Sequence, residues 1–332
     1  YQGETYTLQL DSHHRFIKNW DSELITMLKG LQSKGYCKPL LTSYISSYQP
    51  DNDPEGRQQN PWLMNFDRFT PEGVIFFLPA NIPGHTDMTE PISSRFYSAH
   101  FAFTLGKFAV EVQHDPEFYF HGEEITIAIR AFTHGYDLFH PHKIIAWHEY
   151  TRKGRVKQWD DDPDWGKRNN RTHEKTRKLL GIDGEKYDTD EERYGKYGLG
   201  RVRDISEWEK HAGIRLKDRC VQQHTLDNLL SPNPIPLDYD NSFLPKFKHY
   251  IDAQRNRFTE TDYEFCAVIC EAEDGTSVYR NDLNAEQFKN KLAEEGDWLT
   301  ILLDFQGEKP YKWILWPYST SKGWCEKIER KL

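Results

Sequence analysis

The chain lacks any run of the roughly 20 apolar residues that a bilayer-spanning helix requires. Its first residues, Tyr1-Gln2-Gly3-Glu4, show neither the charged start nor the apolar centre of a signal peptide. It therefore reads as soluble, with no membrane segment. Basic charge is scarce: 43 basic against 52 acidic residues give a net charge of −9 without a long basic run, which argues against nucleic acid as a partner. Five cysteines, Cys37, Cys220, Cys266, Cys270 and Cys325, lack the paired spacing of a zinc site or a disulfide framework. Cys266 and Cys270 read as strand core, and this cysteine usage favours a reducing, cytoplasmic compartment. No Gly-rich phosphate loop of the GxGxxG or GxxxxGKS kind occurs, nor any evident internal repeat. The sequence opens without Met and at strand-like residues, so the expectation is a fragment or processed product whose upstream part is absent, which leaves an upstream anchor or targeting signal open.

What is present points to an α/β chain. At 332 residues it has room for one large domain or two ordinary ones. TYTLQL (5 to 10) alternates, with Tyr6, Leu8 and Leu10 on one side, and predicts a strand running into Asp11. ELITMLKGLQSKG carries Leu24, Ile25, Leu28 and Leu31 as one stripe of a helix capped at Asp21 or Ser22 and stopped at Gly35. PLLTSYI, GVIFFLP, FAFTL and KIIAWHEY (143 to 150) read as further strands, with 46 to 61 as a surface loop. HGEEITIAIRAFTHGYD reads as a helix, Glu123 and Glu124 suiting its positive N-terminal end. Helices are also expected at 171 to 180 and 205 to 212. The Pro-punctuated stretch 222 to 243 looks like a linker. Beyond it, residues 244 to 332 give strand, strand, helix, strand, strand, a small α+β accessory module.

Acidic triplets are common here, and position separates them. Asp160-Asp161-Asp162, Asp188-Thr189-Asp190 and Asp238-Tyr239-Asp240 lie in polar or Pro-rich stretches and read as solvated. Only Asp11-Ser12-His13 follows an apolar strand, where an α/β fold places ligands beyond the sheet edge. A carboxylate and an imidazole two residues apart can address one cation, although a loop Asp capping its own turn explains the same letters. His14 has the wrong parity for that site and is expected to point away, as a surface or packing residue.

The order LQLDSHHRF, YFHGEEITIAIRAFTHGYDLFHP and IIAWHEYTR resembles the GlcNAc-transferase family that modifies polypeptide hydroxyls, related to cytoplasmic Skp1 GlcNAc-transferase. It is more distantly similar to the polypeptide GalNAc-transferases. The resemblance continues through RTHEKTRKLLGID and GLGRVRDISEWEKHAGI, about residues 1 to 215. It implies a GT-A-like fold, a Rossmann-related mixed sheet flanked by helices, with a catalytic domain over 1–221. GT-A folds begin with a strand-helix-strand half that forms the uridine pocket, so that half is expected to be missing from this chain. The resemblance further implies a retaining transfer of a hexose, GlcNAc from UDP-GlcNAc, to a hydroxyl acceptor, plausibly on a polypeptide. Asp11, His13 and His148 would hold Mn2+ or Mg2+ against the diphosphate. One carboxylate with two imidazoles suits Mn2+ better than Mg2+, which prefers oxygen ligands.

By the same carry-over, Asp11, Ser12, His100, Gly122, Arg152 and Lys153 would contact the donor, and Glu123 or Glu124 would orient sugar or acceptor hydroxyls, with Glu123 ranked first. A helix N-terminus favours acids for structural reasons alone, and Arg152 and Lys153 also read as solvated charges. His100 stands where relatives carry small residues, and His121 where they carry apolar ones, which opens the question of donor identity. Retention by front-side attack lets a departing phosphate oxygen take the acceptor proton, so no enzymic base is obligatory; double displacement would need a carboxylate.

Two other classes compete. Fourteen histidines suggest a zinc hydrolase, yet His148-Glu149 and His173-Glu174 both fail HExxH at the last position. His140 and His142 read as loop residues. A non-catalytic glycan- or protein-binding relative would use the ten Trp, 18 Tyr and 19 Phe as stacking platforms, Trp313, Trp316 and Trp324 of the tail among them, although packing accounts for most of these aromatics.

Overall fold

The computed structural model describes residues 1–151 and 161–332. They form two compact units, Tyr1–Asp67 with Glu72–Phe243, and Arg68–Pro71 with Leu244–Leu332.

In the first unit, β1 (Tyr6–Leu10) turns Tyr6, Leu8 and Leu10 onto an apolar cluster, as the alternation requires. After the short β2 (His14–Phe16), α1 (Trp20–Ser33) buries Leu24, Leu28 and Leu31 against Leu41, Phe101, Phe103 and Phe139 of the sheet. α1 starts ahead of the expected cap, from a left-handed Asn19. β3 (Pro39–Thr42) is buried throughout, as a central strand with both faces covered must be. β4 (Ser46–Ser47), β5 (Trp62–Phe69), β6 (Ile75–Asn81), β7 (Ile92–Ser93) and β8 (Phe101–Leu105) follow, then α2 (Phe108–Glu111) and α3 (Glu123–Thr133). β9 (Asp137–His140), β10 (Ala146–His148), α4 (Trp165–Leu180), α5 (Asp190–Tyr194) and α6 (Ile205–Ala212) complete the part that positions the site.

The main sheet runs β1-β8-β3-β9-β7 and is mixed, with β3 and β9 parallel and the other three pairings antiparallel. Leu10 faces Phe101 and Thr42 faces Ala102. Asp11, Tyr44 and His100 therefore leave the sheet at one edge. A smaller sheet, β2-β10-β4, sets His148 opposite His14 on one side and Ser47 on the other. The chain is thus the mixed α/β fold that the strand and helix pattern predicts.

Several expectations change. The surface loop 46 to 61 contains β4, and the strand expected over 143 to 150 shrinks to Ala146–His148, because β2 and β4 offer only three and two residues to pair with. His140 is a buried strand residue rather than a loop one: its Nδ1 donates to Thr42 O (2.9 Å), and its Nε2 accepts from Met64 N–H (3.3 Å). The stretch expected as a linker belongs to the first unit up to Phe243. Buried Asn233 accepts from Arg95 (2.6 Å) and bonds Gln222 and Thr225 (both 2.9 Å). A Cβ on Gly213 would fall 1.9 Å from the Asn233 amide, so that glycine lets the segment dock.

In the second unit, residues 246–254 of a long strand, Phe243–Gln254, which its Pro and Lys residues disguise, pair antiparallel with Trp298–Gln306. Tyr263–Glu271 pairs with Ser277–Asn284 and with Lys312–Ser319, and the helix Ala285–Ala293 caps the core through Phe288. Cys266 and Cys270 are buried in this core.

Candidate active site

Asp11 is anchored through its backbone, whose N–H donates to His100 O at 3.1 Å. Its carboxylate stays 57% exposed: Oδ1 accepts the Ser12 N–H at 2.7 Å, and Oδ2 stands 3.6 Å from Nε2 of His148. Two residues 137 positions apart (148 − 11) thus meet at the sheet edge. His148 is buried, and among the described residues neither ring nitrogen has a hydrogen-bond partner. Burial, reinforced by the neighbouring His14, pushes its pKa down to about 4, so the ring is neutral with a lone pair available.

His13 takes a left-handed backbone (φ 70°), is exposed, and accepts the Glu149 N–H on its carbonyl at 3.3 Å. That one left-handed residue overturns the expectation for His14. Alternation is reset after it, and His14 turns inward on β2, its ring 4.7 Å from that of His148. Its Nδ1 contacts Asp11 O at 3.1 Å, its buried Nε2 has no partner among the described residues, and burial lowers its pKa.

Next to Asp11 opens a cavity of about 510 Å³, lined on one side by Val74, Ile75, Phe76, Phe77 and Phe120 and on the other by Asp11, Tyr44, His100, Glu123, Glu124 and Tyr150. This size and mixture are those of a small-molecule pocket. Glu124 turns into it. Its Oε1 accepts from Ala99 N–H (2.8 Å) and Ser98 Oγ (3.2 Å), and its Oε2 from Tyr44 OH (3.3 Å). Burial outweighs these donors and pushes its pKa up to about 7. Glu123 pairs with His114 Nδ1 at 2.8 Å. His100 lies between Tyr44 and His148, with ring centroids at 5.1 and 5.3 Å, and burial pushes its pKa down to about 3. The hydroxyl of Tyr150 bonds Ile45 O (2.7 Å) and lies 3.0 Å from His100 Nε2.

Gly122 adopts φ 102°, and a Cβ there would fall 2.4 Å from Thr176 Oγ1 on α4. The close approach that demands glycine is thus made by a helix of the same unit, although Gly122 also lines the cavity.

Of the residues singled out from sequence, Asp11, His100, Gly122, Glu123 and Glu124 gather on one cavity, with His148 touching Asp11. Ser12 is exposed beside them. Arg152 and Lys153 lie outside the described residues. Sequence reasoning missed Tyr44 and Tyr150, for which the available signal was an aromatic just past a strand end, as at the DSH motif.

Among the described residues no group of three or more His, Cys, Asp or Glu is arranged as a metal site. The Asp11–His148 pair does fit a shared cation: two ligands bonded at about 2.1 Å to one ion sit roughly 3 to 3.6 Å apart, the separation found here, and the imidazole is neutral and unpartnered.

No helix of the described residues is long and apolar enough to cross a membrane. A family model described as Glycosyltransferase (GlcNAc) matches residues 1–218. A comparison with curated proteins returns no match. Among solved structures, the crystal structure of GalNAc-T7 with UDP, GalNAc and Mn2+ is matched at 13% identity and a TM-score of 0.41, covering 99% of this chain and 55% of that one. This chain thus spans about half the length of that structure.

Proposed function

The chain belongs to the Glycosyltransferase (GlcNAc) family, and from that premise we propose that it transfers a hexose, GlcNAc from UDP-GlcNAc, with retention, to a hydroxyl acceptor carried on a polypeptide. The observation that carries the reading is the meeting of Asp11 Oδ2 and His148 Nε2 at 3.6 Å on the rim of the cavity that Glu124 enters. Asp11, His13 and His148 would hold Mn2+, or Mg2+; when bound, the ion stabilises the charge that develops on the diphosphate as the glycosidic bond breaks. His13 is exposed, and its carbonyl accepts the N–H of Glu149, the residue after His148, which keeps its backbone beside the pair.

The chain's own residues do the rest. Ser12, His100 and Gly122 line the donor's path, and Arg152 and Lys153 would neutralise the departing diphosphate. Glu124, and Glu123 beside it, would orient sugar hydroxyls; of the two, Glu124 has the environment of a working group, a cavity-facing carboxyl with its pKa brought to about 7. Val74, Ile75, Phe76 and Phe77 exclude water and offer an apolar wall to an N-acetyl methyl.

The test is UDP-sugar hydrolysis and transfer measured with Mn2+, Mg2+ and EDTA. Turnover that needs the metal and is abolished in Asp11→Ala and His148→Ala at unchanged thermal stability supports the proposal. Turnover that survives EDTA, or metal-stimulated peptide cleavage, contradicts it.

A further inference from the structure

Glu124 sits at the end of a hydrogen-bond chain whose direction is fixed by the backbone. The amide of Ile45 donates to His100 Nε2 at 3.0 Å, so that nitrogen is the bare one and Nδ1 carries the ring hydrogen. Nδ1 then donates to Ser98 Oγ at 2.8 Å, which leaves the hydroxyl hydrogen of Ser98 for Oε1 of Glu124 at 3.2 Å. Oε1 also takes the Ala99 amide at 2.8 Å and is thereby occupied. Among the described residues Oε2 receives only the longer contact from Tyr44 OH, 3.3 Å, and keeps capacity to spare on the cavity side. Ser98 itself is fully buried, and its amide is held by Thr42 Oγ1 at 2.9 Å, which fixes the backbone that carries the hydroxyl.

We propose that Ser98 is a positioning residue of this site: by donating to Oε1 it orients the Glu124 carboxylate so that Oε2, which already takes the Tyr44 hydroxyl hydrogen, turns its remaining acceptor capacity toward a hydroxyl of the bound hexose. The inference rests on the reading of the cavity as the donor-sugar site. Every charged or titratable group that faces Glu124 bears on its ionisation. Glu123 comes from its own helix, Tyr44 from the end of β3, Tyr97 and His100 from the segment before β8, Tyr150 from the segment after β10, and Asp11 and His121 from elsewhere on the cavity wall. His100 is held neutral by its burial, so the neutral donors Ser98, Ala99 and Tyr44 supply the hydrogen bonds that the ionised form receives.

The test reads Glu124 directly, as the carboxyl carbon signal of selectively labelled glutamate in the full chain, titrated by NMR and assigned by its loss in Glu124→Gln. Wild type is expected to titrate near 7. Ser98→Ala removes a donor to the charged form and should raise the midpoint by roughly one unit. Ser98→Thr, which keeps the hydroxyl, should restore it, and Tyr44→Phe should produce a smaller rise. Ser98→Cys, a weaker donor, replaces the alanine variant if that one does not fold, and should give an intermediate rise. A midpoint unmoved or lowered in Ser98→Ala or Ser98→Cys, or a threonine variant that behaves like alanine, would overturn the proposal. No UDP-sugar enters the titration, so its outcome stands apart from whether the cavity binds a donor.

Discussion

The two units bury different chemistry. In the second, the core is Phe247, Ile251, Val268, Phe288, Leu299, Leu303, Trp313 and Leu315, and among the described residues its buried polar side chains are confined to Thr70 and Ser319. The first unit buries Arg95, Arg130, Ser98, His140, His148 and many more. Burying a polar group costs free energy unless it is hydrogen-bonded, so a fold selected for stability alone would look like the second unit. The first departs from that pattern in two ways. Arg95 is tied into a bonded network that pins residue 233 and needs no ligand to explain it. Among the described residues His148 and His14 carry nitrogens with no partner, and Glu124 an oxygen with room for one more, all at one sheet edge; Tyr97, Tyr119, Arg130, His142 and His173 also carry unpartnered buried polar atoms. The contrast teaches that the unit carrying the candidate site tolerates buried polar groups, bonded and unbonded, that the second unit largely lacks.

The contrast can be pressed hardest in the second unit. Phe288 is fully buried and meets Phe258 and Tyr263 with ring centroids at 5.4 and 5.1 Å. Phe288→Ala should cost about 3 to 5 kcal/mol in urea unfolding of the full chain, with the same loss at pH 5 and pH 8 and unchanged Mn2+ affinity. A metal affinity that fell with it would mean the units are not separate in what they do.

Glu124 should behave in the opposite way, with an effect that depends on pH. Its folded pKa, about 7, lies above the ordinary 4.5, so the folded state holds the proton more tightly than the unfolded chain. Its favourable contribution is full below 4.5 and is lost as pH rises through 7. Glu124→Gln should therefore gain stability relative to wild type by about 3 kcal/mol between pH 4.5 and pH 8. A stability difference that is flat across this range would show the carboxyl to be an ordinary solvated one.

A smaller effect is expected at Gly122. Alanine there meets both the positive φ and the Thr176 hydroxyl, and should lower stability by roughly 1 to 3 kcal/mol. Combining it with Thr176→Gly should recover the steric part alone. Full recovery would show that φ costs nothing, and no recovery that α4 does not press on this turn.

These contrasts also show what the linear chain reveals. Asp11 was legible because an apolar alternation ends on it, and α3 and α6 because their spacing and caps are local. His148 became legible only through family resemblance, since strand pairing joins it to His14 across the fold. His14 was misread because a left-handed non-glycine residue, His13, leaves no trace in a pattern of apolar and polar letters. The environment of Glu124 was hidden for a related reason: its three donors come from residues 44, 98 and 99, on two other segments. The strand Phe243–Gln254 escaped because Pro245 and its lysines weaken the alternation on which a strand reading depends.

The central claim is that Asp11 and His148 share one divalent ion. Electron paramagnetic resonance of Mn2+ added to the full chain, with 15N-labelled histidine, tests it most directly. The account predicts nitrogen hyperfine coupling from bound imidazole, at least one coupling lost in His148→Ala, and Mn2+ affinity falling more than about 100-fold in Asp11→Ala. Tight Mn2+ binding with no imidazole coupling, or a signal indifferent to both substitutions, would contradict it.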